Sequence, residues 1–354
     1  MIETDKNENL NNLLENDQPA PESATPTPPA TPVIPDRSLQ TLGDAVGFPL
    51  CMFFIISYVI QYAVAYVVLI FGTIFKISGL EAYSDPNVQY VLTSMISLVS
   101  LTVPYLYTLK ATKSTFAELI SVKRVASSKL IALVMLGFGA SALSNLASNI
   151  LESFTNSLFG VQFENPAPEY GTGTWSFVLM LLCVGILPAL LEEFAIRGVI
   201  LGALRKKFSD TSAIVISSVL FGILHGNLQQ IPFATLLGLL LAYTTIYTGS
   251  LLPAILIHAV NNTVSVILAF SSQNMSPMVS EMTSYIYFTV SLIVGICGFI
   301  MLIKSDSNAF KLSPERAEET NPNLRKFLAS PWIIIFLVLC IIQVLLAQGV
   351  ITLG

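Results

Sequence analysis

Nine apolar runs, near 46–75, 88–109, 130–150, 175–204, 212–227, 231–248, 251–270, 283–303 and 333–351, constrain this chain more than any other feature. A helix that crosses a bilayer needs about 20 predominantly apolar residues, and most of these runs reach that length. Only 212–227 and 231–248 fall short enough to question. Of the 354 residues 11% are charged and 53% hydrophobic, with a mean hydropathy of +0.71. A soluble domain carries about 25% charged residues, so lipid is the expected solvent. The expected fold is all-α: a polytopic transmembrane helix bundle of about 8–9 membrane helices. Helices apolar on every side carry no solvent stripe, so periodicity adds little.

Residues 1–44 are of another kind. They begin acidic, supply most of the formal charge of −5, and then run through PAPESATPTPPATPVIP, Pro19–Pro35. Such a stretch buries too little apolar surface to fold and reads as a disordered, Pro-rich cytoplasmic tail. It offers a docking arm to a proline-reading partner; a solvated leader is the simpler expectation. The first apolar run starts only near Val46, so no signal peptide is expected ahead of it. Cys51, Cys183, Cys297 and Cys340 each lie in an apolar run without a C-x-x-C partner, which predicts buried thiols rather than a disulfide framework or a thiolate metal site.

Lysine and arginine orient the spans. The connection 110–129 holds Lys110, Lys113, Lys123, Arg124 and Lys129; Arg205, Lys206 and Lys207 follow the fourth run; 304–332 holds Lys304, Lys311, Arg316, Arg325 and Lys326. The stretches 151–174, 226–230 and 271–282 hold none. Basic and empty loops thus alternate, placing the N-terminus in the cytoplasm and the C-terminus outside. An integral multi-pass protein, of the plasma membrane, is the expectation.

Glu192, Glu193, Arg197, His225 and His258 remain inside the runs. Three unpaired charges at mid-bilayer would cost about 7–10 kcal/mol, so residues of this type mark function by default. Arg197 follows Glu193 by four residues, on one helix face in the favourable acid-first order. Glu192 is turned about 100° from its neighbour, which predicts that Glu193 is neutralised while Glu192 faces the interior. Pro188, one turn earlier, is expected to kink the helix. Phe221 and His225 share a face at i, i+4. Asn261 and Asn262, at i+3 and i+4 from His258, each share its face.

A carboxylate in a low-dielectric pocket can serve as general base on water. One imidazole can share that proton, and a His–Asn pair can donate to a developing oxyanion. No G-x-S-x-G elbow signals a serine nucleophile. The set fits hydrolysis of an acyl bond by activated water.

Glu192-Glu193-x-x-x-Arg197, Phe221-x-x-x-His225 and His258-x-x-x-Asn262, in order on successive apolar segments, resemble the three motifs of the CPBP (Abi) family of intramembrane proteases. That family includes the type II CAAX prenyl endopeptidases and bacteriocin-processing or immunity proteins. The resemblance covers about 175–270, leaving 45–174 and 271–354 as flanking membrane helices. It implies Glu192 as water-activating base assisted by His225, His258 and Asn262 as oxyanion hole, and Glu193, Arg197 and Phe221 as support. It also implies a peptide or lipidated-peptide substrate and membrane lipid as partners, with no nucleic acid.

Three other readings stand beside metal-free catalysis. A zinc peptidase would take Glu192, His225 and His258 as its ligands, although no H-E-x-x-H is present. A non-catalytic scaffold or immunity protein would use the cluster only to hold the bundle. A proton-coupled transporter would show an internal repeat, and none is visible. Elsewhere, Ser144, Asn145, Ser148 and Asn149 read as interhelical hydrogen bonding in the third run. Asn227, Gln229 and Gln230 read as capping and linking the fifth and sixth runs.

Overall fold

A computed structural model describes residues 38–75, 83–119, 121–160, 170–311 and 324–348. The Pro-rich tail, Arg316 and the end of the ninth run lie outside the described residues. Those described form helices and connections, without a strand.

The helices are α1 (Ser38–Phe75), α2 (Pro86–Ser100), α3 (Tyr105–Ala111), α4 (Phe116–Leu119), α5 (Ser127–Phe159), α6 (Gly173–Leu204), α7 (Asp210–Leu224), α8 (Gln230–Thr248), α9 (Leu252–Ser272), α10 (Pro277–Ser305), α11 (Leu324–Leu328) and α12 (Pro331–Ala347). Starts are marked as sequence chemistry prescribes. Asp85 accepts from Asn87 and Val88 at the head of α2, Ser209 from Ser212 at α7, and Ser276 from Val279 at α10. Proline stands in the first turn of α2, α9, α10 and α12, where its missing N–H is not needed. Gly160 and Gly249 close α5 and α8 in the left-handed conformation.

Each of the nine apolar runs contains a helix, but not all are of spanning length. Among the described residues seven helices are long and apolar enough to cross a membrane, counting α2 and α3 as one from Pro86 to Ala111. The run 231–248 is among them as α8. The run 212–227 is the exception within the core: α7 has 15 residues, rises about 22 Å, and stops short of a hydrocarbon layer about 30 Å thick. α12 is also short, at 17 described residues.

The basic connections gather at one end of the bundle. Leu251 donates to the Ser121 carbonyl (2.8 Å), and Ser250 Oγ to that of Lys123 (2.8 Å). Lys129 pairs with Asp306 (3.0 Å), which also accepts from the Tyr247 hydroxyl (2.7 Å). Tyr247 first, then Lys129, hold the Asp306 carboxyl down at about 2. Ser330 Oγ donates to Asp44 (2.6 Å) at the same end. At the other end Gly171 N–H reaches Tyr90 (3.3 Å), and Tyr58 donates to Gln343.

Small residues set how closely the helices approach. A Cβ on Gly295 would lie 2.5 Å from Gly139 Cα, and one on Gly298 would lie 2.6 Å from Leu136 N. Backbones thus meet directly between α5 and α10, the close packing on which association in lipid depends. Outward faces stay apolar, as with Val59, Phe71, Ile293 and Ile296. Of the four thiols Cys51 and Cys340 are buried, Cys183 is half-buried and Cys297 exposed. Burial was expected of all four; an apolar thiol on a membrane helix can equally face lipid.

The polar stripe of α5 also differs from expectation. Ser144 and Asn145 donate to the Ala140 and Ser141 carbonyls of their own helix. The interhelical bond comes from Ser141, which donates to Asn261 on α9. Asn227 does cap α8, accepting from Gln230 N–H (2.8 Å).

Candidate active site

α6 is not a plain α-helix. Pro188 has no N–H to give, and its ring crowds the carbonyl of Val184 four residues back. The preceding turn, Leu181–Ile186, widens to the π form, with Leu187 N–H on the Leu182 carbonyl. After an α-helical stretch, Leu187–Glu192, a second π segment, Glu193–Ile200, contains Glu193 and Arg197. Such insertions concentrate at functional sites. Here the second begins between the two glutamates, with Glu192 ending the α-helical stretch and Glu193 opening the π segment.

The second π segment carries a fully buried ion pair. Arg197 donates to Glu193 Oε1 at 2.8 Å, and neither side chain is exposed. Arg197 also donates to the Gly238 carbonyl on α8 (3.3 Å) and stacks over Phe221 of α7, 4.1 Å from the ring centre. Gly238 is required by this arrangement: a Cβ there would meet Arg197 at 3.0 Å and Phe221 at 3.3 Å. A charge removed from water so completely is tolerated only when paired and hydrogen-bonded.

His258 of α9 stands between both glutamates. Its Nδ1 is 2.8 Å from Glu193 Oε1, and its Nε2 is 3.8 Å from Glu192 Oε2. A carboxylate only accepts, so Nδ1–H is the donor and Nε2 is turned toward Glu192. Glu192 is about one-fifth exposed whereas Glu193 is sealed. Glu193 is paired with Arg197, as the spacing predicts, and it serves His258 as well. Glu192 is the more accessible of the two, yet its Oε2 is buried and turned toward His258.

Phe221 is the hub between the histidines. Its ring meets that of His225 edge-on at 4.8 Å and that of His258 at 5.9 Å. His225 is the C-cap of α7, just beyond the helix rather than within it. Its Nδ1 lies 2.9 Å from the Phe221 carbonyl. That carbonyl can only accept, so Nε2 keeps its lone pair in the neutral ring. Gly226 follows at φ +66°, a value that suits glycine and lets the chain turn immediately after the histidine. Asn262, one turn beyond His258, accepts from Asn261 Nδ2 at 3.1 Å. Asn261 is in turn held by Ser141. The structure thus joins Glu192, Glu193, Arg197, Phe221, His225 and His258 through direct contacts, and links Asn262 to its neighbour Asn261.

Ser141 and Gly238 are the participants that sequence reasoning missed. Nothing local marks a single serine or glycine in an apolar helix. Their roles come from helices that pack across from α9 and α6.

The zinc alternative can be tested against this geometry. Among the described residues no three His, Cys, Asp or Glu side chains are grouped to hold a metal. Each histidine engages Nδ1, on Glu193 or on the Phe221 carbonyl, which leaves Nε2 of each ring open, an arrangement that metal-bound histidines share.

Comparison with known proteins points to the same segment. Residues 174–264 match the family model described as "Type II CAAX prenyl endopeptidase Rce1-like". The chain is 36% identical over 90 residues to "Putative membrane peptidase YdiL" of Bacillus subtilis (strain 168). That stretch is 25% of this chain and 37% of the relative, so little more than a third of the relative's length is covered. No solved structure matches the chain. The three-motif resemblance and the family match coincide on the segment carrying Glu192, His225 and His258.

Proposed function

We propose, from the premise that residues 174–264 form an Rce1-like core, that the chain is an intramembrane endopeptidase working through a glutamate-activated water. The observation that carries the reading is His258, held by Glu193 through Nδ1 and facing the more accessible Glu192 through Nε2. Glu192 is the base that takes a proton from water as it attacks the peptide carbonyl. His225, with Nε2 unprotonated in its neutral form, shares that proton and returns it to the leaving amine. His258, in its doubly protonated form, donates from Nδ1 to Glu193 and from Nε2 to the oxyanion, and Glu193 offsets its charge. Asn262 supplies a second donor to the same oxygen. The role of Glu193 parallels that of the carboxylate that orients histidine in hydrolytic triads.

The substrate is a peptide that reaches the site through the membrane, either lipid-modified near its C-terminus or a leader peptide. A lipid tail finds room in an apolar cavity of about 440 Å³ lined by Tyr90, Met180, Cys183 and Val184. By the positive-inside bias the N-terminus is cytoplasmic, and the plasma membrane is the proposed location. The chemistry needs no metal.

Cleavage of a quenched fluorescent peptide library, with and without a prenyl group, by the full chain in nanodiscs tests this. Turnover lost in Glu192→Gln and His258→Ala but indifferent to chelator is the expected result. Equal turnover by wild type and variants would overturn the assignment. Loss with chelator that zinc alone restores would return the metal reading.

A further inference from the structure

A cavity of about 360 Å³ opens at the basic end of the bundle, between α4, the end of α6 and the α8–α9 turn. Arg197, Arg205 and Lys206 line it, and Glu118 is its acidic member. Arg197, 1% exposed, is the sealed one.

A count of hydrogen bonds shows what the cavity offers. Arg197 uses one terminal nitrogen on Glu193 and the other on Gly238, which leaves Nε buried without a partner. Arg205 gives Nε and one terminal nitrogen to Asp210 (2.8 and 3.3 Å), and its second terminal nitrogen is unused. Lys206 gives one proton to the Thr112 carbonyl (3.2 Å) and has two more. Glu118 is already engaged, accepting from Thr115 N–H at 3.1 Å. Glu193 and Asp210 are bonded to the two arginines, whereas Lys206 and the lining Glu118 are bonded only to backbone groups. The cavity therefore presents unused donors on three cations, one of them the buried Nε of Arg197, and a buried donor is expensive to leave unmade.

We propose that this cavity binds a phosphate oxyanion. Several acceptor oxygens on one centre suit donors fanned from two guanidinium groups and an ammonium. The location fits as well: basic pockets between membrane helices at the cytoplasmic face take anionic lipid headgroups. An anionic lipid and free phosphate share the recognised group. The inference does not rest on the peptidase reading.

The test uses the full chain extracted from bilayers of phosphatidylcholine with or without phosphatidylglycerol, with retained lipid counted by native mass spectrometry. Inorganic phosphate is titrated in parallel and followed by thermal unfolding. Lys206→Gln is compared with Arg205→Gln/Asp210→Asn, which removes a charge without stranding its partner, and with the exposed control Lys311→Gln. Selective retention of phosphatidylglycerol, at least tenfold lower in both cavity variants and unchanged in the control, is expected. Saturable stabilisation by phosphate alone, lost in the same variants, supports the site with a soluble ligand. Retention equal in wild type and Lys206→Gln, or neither ligand bound, would overturn the proposal. Lys206 is exposed and its variant folds without penalty, so that arm decides even if the double variant misfolds.

Discussion

Glu192 and Glu193 are adjacent in sequence yet do different physical work. Glu193 is sealed and holds both Arg197 and His258, whereas Glu192 is partly exposed and meets His258 only at 3.8 Å. Their variants should therefore separate function from stability. Glu192→Gln should lower kcat by about 10²–10⁴ and leave thermal unfolding in detergent near wild type. Glu193→Ala should cost about 3–5 kcal/mol, because it strands Arg197 as an uncompensated buried charge. Comparable unfolding of the two variants would show that the buried pair is not what holds this region. Much of this site was legible beforehand. Spacing alone placed Glu193 with Arg197 and Phe221 with His225, since i, i+4 contacts are local. The bond from His258 to Glu193 was not legible, because it spans 65 residues and depends on how α9 packs against α6.

At the scale of elements, glycine does what a hydrophobic driving force cannot do between helices in lipid. Gly139 and Gly295 bring α5 and α10 into backbone contact, with no space for even a Cβ. Gly295→Leu should separate the two helices and destabilise the bundle by about 1–3 kcal/mol, read as a lower Tm in detergent. An unchanged Tm would mean that the contact is not tight. The same pair is tied at the basic end by Asp306, about a quarter exposed and bonded to Lys129 and Tyr247. Its folded pKa of about 2 lies below the ordinary 3.8. The tie therefore contributes fully above about pH 4 and is lost as pH falls through the folded value. Asp306→Asn should be less stable than wild type at pH 7 and at pH 5, with the difference closing toward pH 2. A difference that grows on acidification would contradict the assignment. Neither contact could be read from the sequence. Glycine spacing in apolar runs fits several partners, and Asp306 lies 177 residues from Lys129.

At the scale of the molecule, a helix in each apolar run follows from hydropathy, because a bilayer admits backbone only where it is hydrogen-bonded within itself, although α7 and α12 fall short of spanning length. The lateral order of the helices does not follow, since helices apolar on every side have no stripe to show which face meets which neighbour. The direction of crossing follows from charge. Lys110, Lys123, Lys129, Arg205, Lys206 and Lys311 lie in or beside connections that the structure brings to one end. The described turns 225–229 and 273–276, at the other end, contain neither lysine nor arginine. Residues that the sequence scatters over 200 positions thus form a single basic face, and the bias toward cytoplasmic lysine and arginine acts on the whole bundle. The orientation can be read with cysteines placed in a background lacking Cys51, Cys183, Cys297 and Cys340. Asn274 and Lys311 are both exposed, at opposite ends. Asn274→Cys should react with a membrane-impermeant maleimide on intact cells, and Lys311→Cys only after lysis. The reverse pattern would invert the bundle and put the proposed phosphate cavity outside the cell. Labelling of both positions on intact cells would mean that the basic face does not set a single direction of insertion.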